Sequence, residues 1–267
     1  MSTANIDAKL VMALRNRTGL GFGDCRSALA ETGADLEKAE ALLREKLKGK
    51  MDTRTDRTAG EGCIAMAIKG HGGVIIEVRA ETDFTAKNEE FRAMATELAG
   101  MALAGTAGEV AMSAPMTTLL DGVRIKTGEN ISFAKGTHLS GGNFAKYLHH
   151  DGKLGVLLQY EGAMPEELAV GICQHVAAAV PAPMAVDEHG LAADLVAAKR
   201  EEAKKEAADS GKAANLIDKI AEGKLRKFFE ETTLLGQKYV RDDKVAVGKL
   251  LPQGVKILAF VRMRVGA

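Results

Sequence analysis

The sequence predicts an α+β protein built from an N-terminal three-helix module, two related β-β-α halves with antiparallel sheets, and a projecting antiparallel helical hairpin. Three observations carry that prediction. Residues 5–47 set apolar side chains three and four apart between glycine breaks. A strand, glycine turn, strand and helix pattern occurs twice between residues 63 and 180. Residues 191–231 are rich in Ala, Lys and Glu and are broken once, at "DSG".

Taken in order, the first module (residues 1–47) has Leu10, Val11 and Leu14 on one stripe, Ala28 and Leu29 on a second, and Leu36, Ala39, Leu42 and Leu43 on a third. Gly19, Gly21, Gly23 and Gly33 punctuate these runs, and Asp24 and Asp35 stand where helix N-caps are wanted. "KGKMDTRTDRTAGEG", residues 48–62, is charged and poor in apolar residues, so it reads as a linker. The first half (63–140) offers "CIAMAIKGHGGVIIEVRAETDF" and then a helix with Phe91, Met94, Ala95, Leu98 and Met101 in register. Its echo, "NFAKYLHHDGKLGVLLQYEG" followed by "PEELAVGICQHVAAAV", opens the second half, assigned to residues 141–190 and 232–267. "HGG" and "HDG" are the hairpin turns, and the alternating "VKILAFVRMRV" of the tail is a strand returning to the second sheet. The segment 191–231 supplies the hairpin, with a stripe of Leu216, Ile217, Ile220, Ala221, Leu225 and Phe228 on its second limb. That stripe packs within the hairpin or pairs two protomers.

Composition excludes several functions. Hydrophobic residues are 46% and charged residues 27% of the 267, an ordinary globular mix. Lys plus Arg and Asp plus Glu both total 36, which leaves no basic excess for direct nucleic-acid binding. No run of about 18 apolar residues is present, and "MSTANIDAK" lacks a secretory or transit profile, so a soluble cytoplasmic protein is expected. Cys25, Cys63 and Cys173 are scattered and odd in number, against a disulfide framework or thiolate metal site.

Chemistry-bearing motifs are sparse. "EGKLRK" and "VGKLLP" lack the upstream glycine and following hydroxyl of a phosphate-binding loop. His149, His150 and Asp151 share a turn, where neighbouring side chains diverge, so a surface turn is expected and no metal. Cys25 has no base near it in sequence, and Cys173 and His175, two apart on a helix, face away from each other. No cofactor and no covalent catalysis are expected. Phe22, between Gly21 and Gly23, either folds onto its own bundle or meets a partner.

The informative stretch is "EVRAETDFTAKNEEF", residues 77–91. Asn88, Glu89 and Glu90 suffice to start the helix, so Asp83 and Phe84 are not needed for that purpose. Two readings remain: Thr82 or Asp83 caps an extra turn that Phe84 staples to the sheet, or a rigid connector presents Phe84 outward with a carboxylate at its base.

"TDFTAKNEEF" resembles the T-D-F-V-A-[KR]-N-x-x-F signature of the elongation factor Ts family, guanine nucleotide exchange factors for the GTPase elongation factor Tu. "LRNRTGLGFGDCRSAL" is similar to that family's ubiquitin-associated-like N-terminal module, "YLHHDGKLGVLLQYEG" to its second-half hairpin, and "GKLRKFFEETTLLGQKYV" to the return from its helical hairpin. The resemblance covers residues 5 to about 265 in order. It implies that Asp83 and Phe84, shaped by Thr82 and Thr85, insert near the GTPase's magnesium site, and that Arg15, Phe22, Gly23, Arg26 and His149 make further partner contacts. It also implies pairing through the helical hairpin, as in some members. Thr85 stands where the signature has Val, adding a hydroxyl, and the chain ends soon after the last strand, where some members carry a further helix.

Overall fold

A computed structural model describes residues 6–52, 57–209 and 214–267. Three helices come first: α1 (Ala8–Thr18), α2 (Phe22–Glu31) and α3 (Leu36–Asp52). Val11, Leu14, Cys25, Ala28, Leu29, Ala39 and Leu43 form their shared core, the stripes expected from sequence. Gly19 ends α1 in the left-handed conformation (φ 71°), its N–H returning to the Arg15 carbonyl, a geometry that a side chain resists. Asp35 caps α3 by accepting from the Glu37 and Lys38 N–H groups. Asp24 does not cap: α2 starts at Phe22 behind Gly21, and Asp24 lies in the first turn, where its charge suits the helix dipole. α3 continues through Lys48–Asp52, into the segment read as linker; a single Gly49 costs a helix only about 1 kcal/mol and no proline stops it. Thr53–Asp56, in the same segment, lie outside the described residues.

The first half then supplies β1 (Glu61–Lys69), β2 (Gly72–Ala80), α4 (Asp83–Lys87), α5 (Glu89–Ala102), β3 (Gly108–Glu109), α6 (Ala114–Thr127) and β4 (Ser132–Ser140). The second supplies β5 (Asn143–Leu148), β6 (Leu154–Glu161) and α7 (Glu166–Ala178). After a 3-10 turn at Glu188–Gly190 come α8 (Ala193–Asp209), α9 (Ala214–Thr232), β7 (Lys238–Tyr239), β8 (Asp242–Ala246), α10 (Val247–Leu250) and β9 (Lys256–Arg264). The strands form antiparallel sheets ordered β1-β2-β4-β3 and β5-β6-β9, with a small β7-β8 pair. The tail strand thus joins the second sheet, beside β6, as expected.

Alternation along the strands stacks these elements in layers. Cys63, Ala65, Val74, Ile76 and Val78 face α5 and α6, while Ile64, Met66 and Ile75 face Leu157 and Met263 of the other sheet. Val156, Leu158 and Tyr160 then face Ile172, Cys173 and Val176 of α7. Strands buried on both faces need no polar side, which is why β1, β2 and β6 read as almost unbroken apolar runs. Two glycines permit the close approach of the sheets. A Cβ on Gly155 would lie 2.6 Å from Ile64 Cγ2, and one on Gly73 would lie 2.5 Å from the Phe144 ring.

α8 and α9 lie against each other, with Ala203, Ala207, Ala221 and Leu225 buried. Lys224 pairs with Glu206 and Lys204 with Asp218 across them. Ser210 and Gly211 of the expected "DSG" break lie outside the described residues. The chain leaves and re-enters the second half at one place: Leu234 N–H donates to the Ala185 carbonyl at 2.9 Å, and Met184 N–H to the Thr232 carbonyl at 2.8 Å. Ile217, Ile220 and Phe228 of the stripe are half-buried, and Leu216 remains exposed.

Candidate functional site

The β2–α5 connector is a second, short helix rather than a loop. Thr82 is extended (φ −119°, ψ 155°) and its Oγ1 accepts from the Thr85 N–H at 3.3 Å, which starts α4. Asn88, again extended, ends α4 after one turn, and its Oδ1 accepts from the Glu90 N–H at 2.8 Å to open α5. Capping by Asn88 agrees with the sequence reading. Between the two caps the side chains divide sharply. Thr85 and Ala86 are buried, whereas Phe84 is 82% exposed, the most open of the protein's aromatic side chains among the described residues. The staple is therefore ruled out: Thr82 does cap the extra turn, but Phe84 points away from the sheet.

Glu129, from the connector between α6 and β4, holds this turn from behind. Thr82 Oγ1 and Thr85 Oγ1 each donate to its Oε1 at 2.7 Å, and the Thr82 N–H donates to its Oε2 at 3.2 Å. The Thr85 hydroxyl, which departs from the valine of the signature, thus has a charged acceptor inside the protein and needs none outside. Arg92 Nε donates to the Ala86 carbonyl at 3.2 Å and ties down the far end of α4. Asp83 accepts from Lys87 Nζ at 2.7 Å; that ammonium holds its carboxyl below the usual carboxylate range, and Lys153 adds to the effect. Asp83 is a carboxylate at neutral pH.

Lys153 belongs to the turn between β5 and β6, which brings the second half to the same edge. Its Gly152 carbonyl accepts from the Ile64 N–H at 2.8 Å, at the start of β1. His149 in this turn is half-buried, with Nδ1 2.9 Å from the Tyr147 hydroxyl and its ring 4.2 Å from that of His150. Among the described residues no group of three or more His, Cys, Asp or Glu side chains could hold a metal ion.

Arg15, Phe22, Gly23 and Arg26 are exposed on α1 and α2, and Phe22 is 44% open. α1 and α2 pack on each other and on α3, α3 rests on α6, and Gly19 at the end of α1 lies against Lys126 of α6, which pairs with Glu90 in the first turn of α5. The structure brings Asp83 within reach of the charge on Lys153 of the 149–153 turn. Sequence reasoning passed over Glu129 entirely. Its partners are 44 and 47 residues away, and no local pattern marks it.

The cysteines are all free and buried. Burial pushes the Cys63 and Cys173 thiols up to about 12, so they stay protonated and unreactive at neutral pH. His175 is buried; its Nδ1 accepts from the Val240 N–H at 3.2 Å, so Nε2 carries the proton that it donates to Gln237 Oε1 at 3.0 Å. Its role is to join α7 to the β7–β8 segment. Among the described residues no helix is long and apolar enough to cross a membrane.

Comparison with known proteins is consistent across the chain. The family model described as elongation factor TS matches residues 81–267, which begins at the connector just described. Elongation factor Ts of Methylococcus capsulatus is 39% identical over 275 aligned positions, covering 98% of this chain and 92% of the relative. Elongation factor Ts of Psychrobacter arcticus and that of Psychrobacter cryohalolentis are each 38% identical, covering 100% of this chain and 92% of the relative. On the extent of these matches, the chain belongs to the elongation factor Ts family.

Proposed function

We propose that this protein binds the GDP-bound GTPase elongation factor Tu and promotes release of GDP, opening the site to GTP, by wedging Asp83 and Phe84 beside the partner's magnesium site. The observation that carries this reading is the 82% exposure of Phe84 on a turn whose neighbours are buried and hydrogen-bonded. An aromatic ring held in water on a fixed mount gains the benefit of apolar burial when a partner covers it. Burying it gains roughly 1.5–3 kcal/mol. About 1.4 kcal/mol corresponds to a tenfold change in rate, so the ring accounts for about a tenfold to hundredfold acceleration. The rest comes from the weakened hold of the distorted GTPase on magnesium and phosphate.

The coupling is reciprocal: a factor that weakens GDP binding is itself bound more weakly when GDP is present. No bond is made or broken. In this reading Thr82 and Thr85 shape the wedge, and His149 meets the partner along the same edge. Arg15, Phe22, Gly23 and Arg26 of a ubiquitin-associated-like α1–α3 module form a second contact. α8 and α9 form the projecting hairpin, and the protein works in the cytoplasm without a cofactor. A second copy pairing through the hairpin has only the residual exposure of Leu216 in its favour.

The test is release of labelled GDP from elongation factor Tu with and without the full chain. Phe84→Ala slows factor-stimulated release more than tenfold while circular dichroism and Tm stay at wild-type values. Equal rates for the two proteins would leave only a scaffold or adaptor role.

A further inference from the structure

We infer that Glu129 is the positioning residue of the wedge, a carboxylate that fixes the direction of Phe84 without touching the partner. The inference rests on the reading of Asp83 and Phe84 given above. α4 has five residues, too few to persist as an isolated helix, and its most prominent side chain buries almost nothing. Its orientation must be imposed from outside.

Sheet pairing delivers the means. β2 and β4 are antiparallel with Arg79 opposite Ser132, so the chain leaving β2 runs beside the chain entering β4. Two reciprocal clasps form there. The Asn130 N–H donates to Glu81 Oε1 at 2.6 Å, and Glu129 receives the Thr82 N–H and the hydroxyls of Thr82 and Thr85. Glu129 is itself held in place. Gly128 closes α6 in the left-handed conformation (φ 70°), Asn130 Nδ2 donates to the Arg57 carbonyl at 2.8 Å, and Ile131 is buried in the first-half core.

One carboxylate therefore grips α4 at its cap residue and at its third residue. Phe84 lies between those two points of attachment, and its Cα–Cβ direction follows from them. An acceptor with two oxygens and a full charge suits three donors; an amide in its place offers one acceptor oxygen and turns an NH2 group toward a donor.

The experiment compares four full-length proteins in the GDP-release assay: wild type, Glu129→Ala, Phe84→Ala and the double variant. Glu129→Ala is expected to lower the maximal stimulated rate about tenfold. Because Glu129 works only through the wedge, adding Glu129→Ala to Phe84→Ala is expected to change the rate by less than twofold. Thr85→Val, which removes one of the three donors, gives a two- to threefold loss. If Glu129→Ala lowers Tm below the assay temperature, Glu129→Gln is read in the same way, since it keeps the shape.

Wild-type rates for a folded Glu129→Ala protein, with Phe84→Ala still defective, would overturn the positioning role and leave the wedge intact. Multiplicative losses in the double variant would also overturn it, by showing that Glu129 acts elsewhere. A normal Phe84→Ala protein would instead remove the wedge on which this role depends.

Discussion

The two halves share a hairpin followed by a helix, and the joint between hairpin and helix differs sharply between them. In the second half, β6 passes to α7 through Gly162–Pro165, a short connector with Gly162 at φ 86° and no side-chain cap on the helix. In the first half the same passage spans Glu81–Asn88, contains a helix of its own, and is capped at both Thr82 and Asn88. Around that joint the shared parts match: hairpin, helix laid across the outer face, and an inner face turned to the other sheet. The comparison teaches that a strand can pass to its helix through a short link, and that the longer joint adds a turn which buries Thr85 and Ala86 on the sheet side while leaving Phe84 in water.

The largest expected effect comes from erasing that difference. Replacing Glu81–Asn88 with Gly-Ala-Met-Pro, the second-half connector, should abolish stimulated GDP release, a loss of more than a hundredfold in the release assay. Hydrogen exchange should show β5, β6 and α7 protected as before. Retention of a tenth of the stimulated rate would mean that the longer joint is not where the activity resides.

A smaller effect tests whether the halves depend on one another through their facing sheets. Gly155→Val puts a side chain against Ile64 at the point where a Cβ already comes within 2.6 Å. Overpacking of that kind costs about 1–3 kcal/mol, so Tm falls by several degrees while the release rate well below Tm changes little. An unchanged Tm would indicate that the sheets separate more easily than their packing implies.

The smallest effect separates the halves by pH. The buried face of α5 is wholly apolar, whereas that of α7 includes His175. Burial lowers the His175 pKa from the ordinary 6.5, and the hydrogen bond with Gln237 offsets part of that. The unfolded chain therefore binds a proton that the folded chain refuses, and stability present above pH 6.5 declines as pH falls below it. Urea unfolding at pH 7.5 and 5.5 should show this decline, with exchange in α7 rising before that in α5. His175→Gln should flatten it. A wild-type midpoint that does not move between the two pH values would show that His175 takes up its proton without cost.

Much of the framework was legible in the residues themselves. Apolar stripes in residues 8–47, the doubled strand-turn-strand-helix pattern and the alternating tail strand all correspond to elements, because burial on one face writes its period into the local sequence. α6 and β4 were not legible. α6 does carry a helical period in Met116, Leu119, Leu120 and Val123, the face it buries, but Thr117, Thr118 and Gly122 between them are weak helix formers that mask it, and β4 has Lys135 and Gly136 at its centre and no clean alternation. Asp24 resembled a cap because capping residues also favour the first turn; α3 passed its expected end because Lys48–Asp52 are charged yet compatible with a helix.

What the sequence alone determined about this protein is its inventory: the helices and strands whose hydrophobic periods are local, the repeat, and an aromatic placed beside a carboxylate where the framework did not require one. What only the tertiary structure decided is orientation. Phe84 could have stapled α4 to the sheet, and its exposure follows from contacts far away in the chain. The pairing of β2 with β4 sets Glu129 behind Thr82 and Thr85, 47 and 44 residues distant. Periodicity is a property of neighbours along the chain, whereas a clasp between two connectors exists only once the strands leading to them have paired.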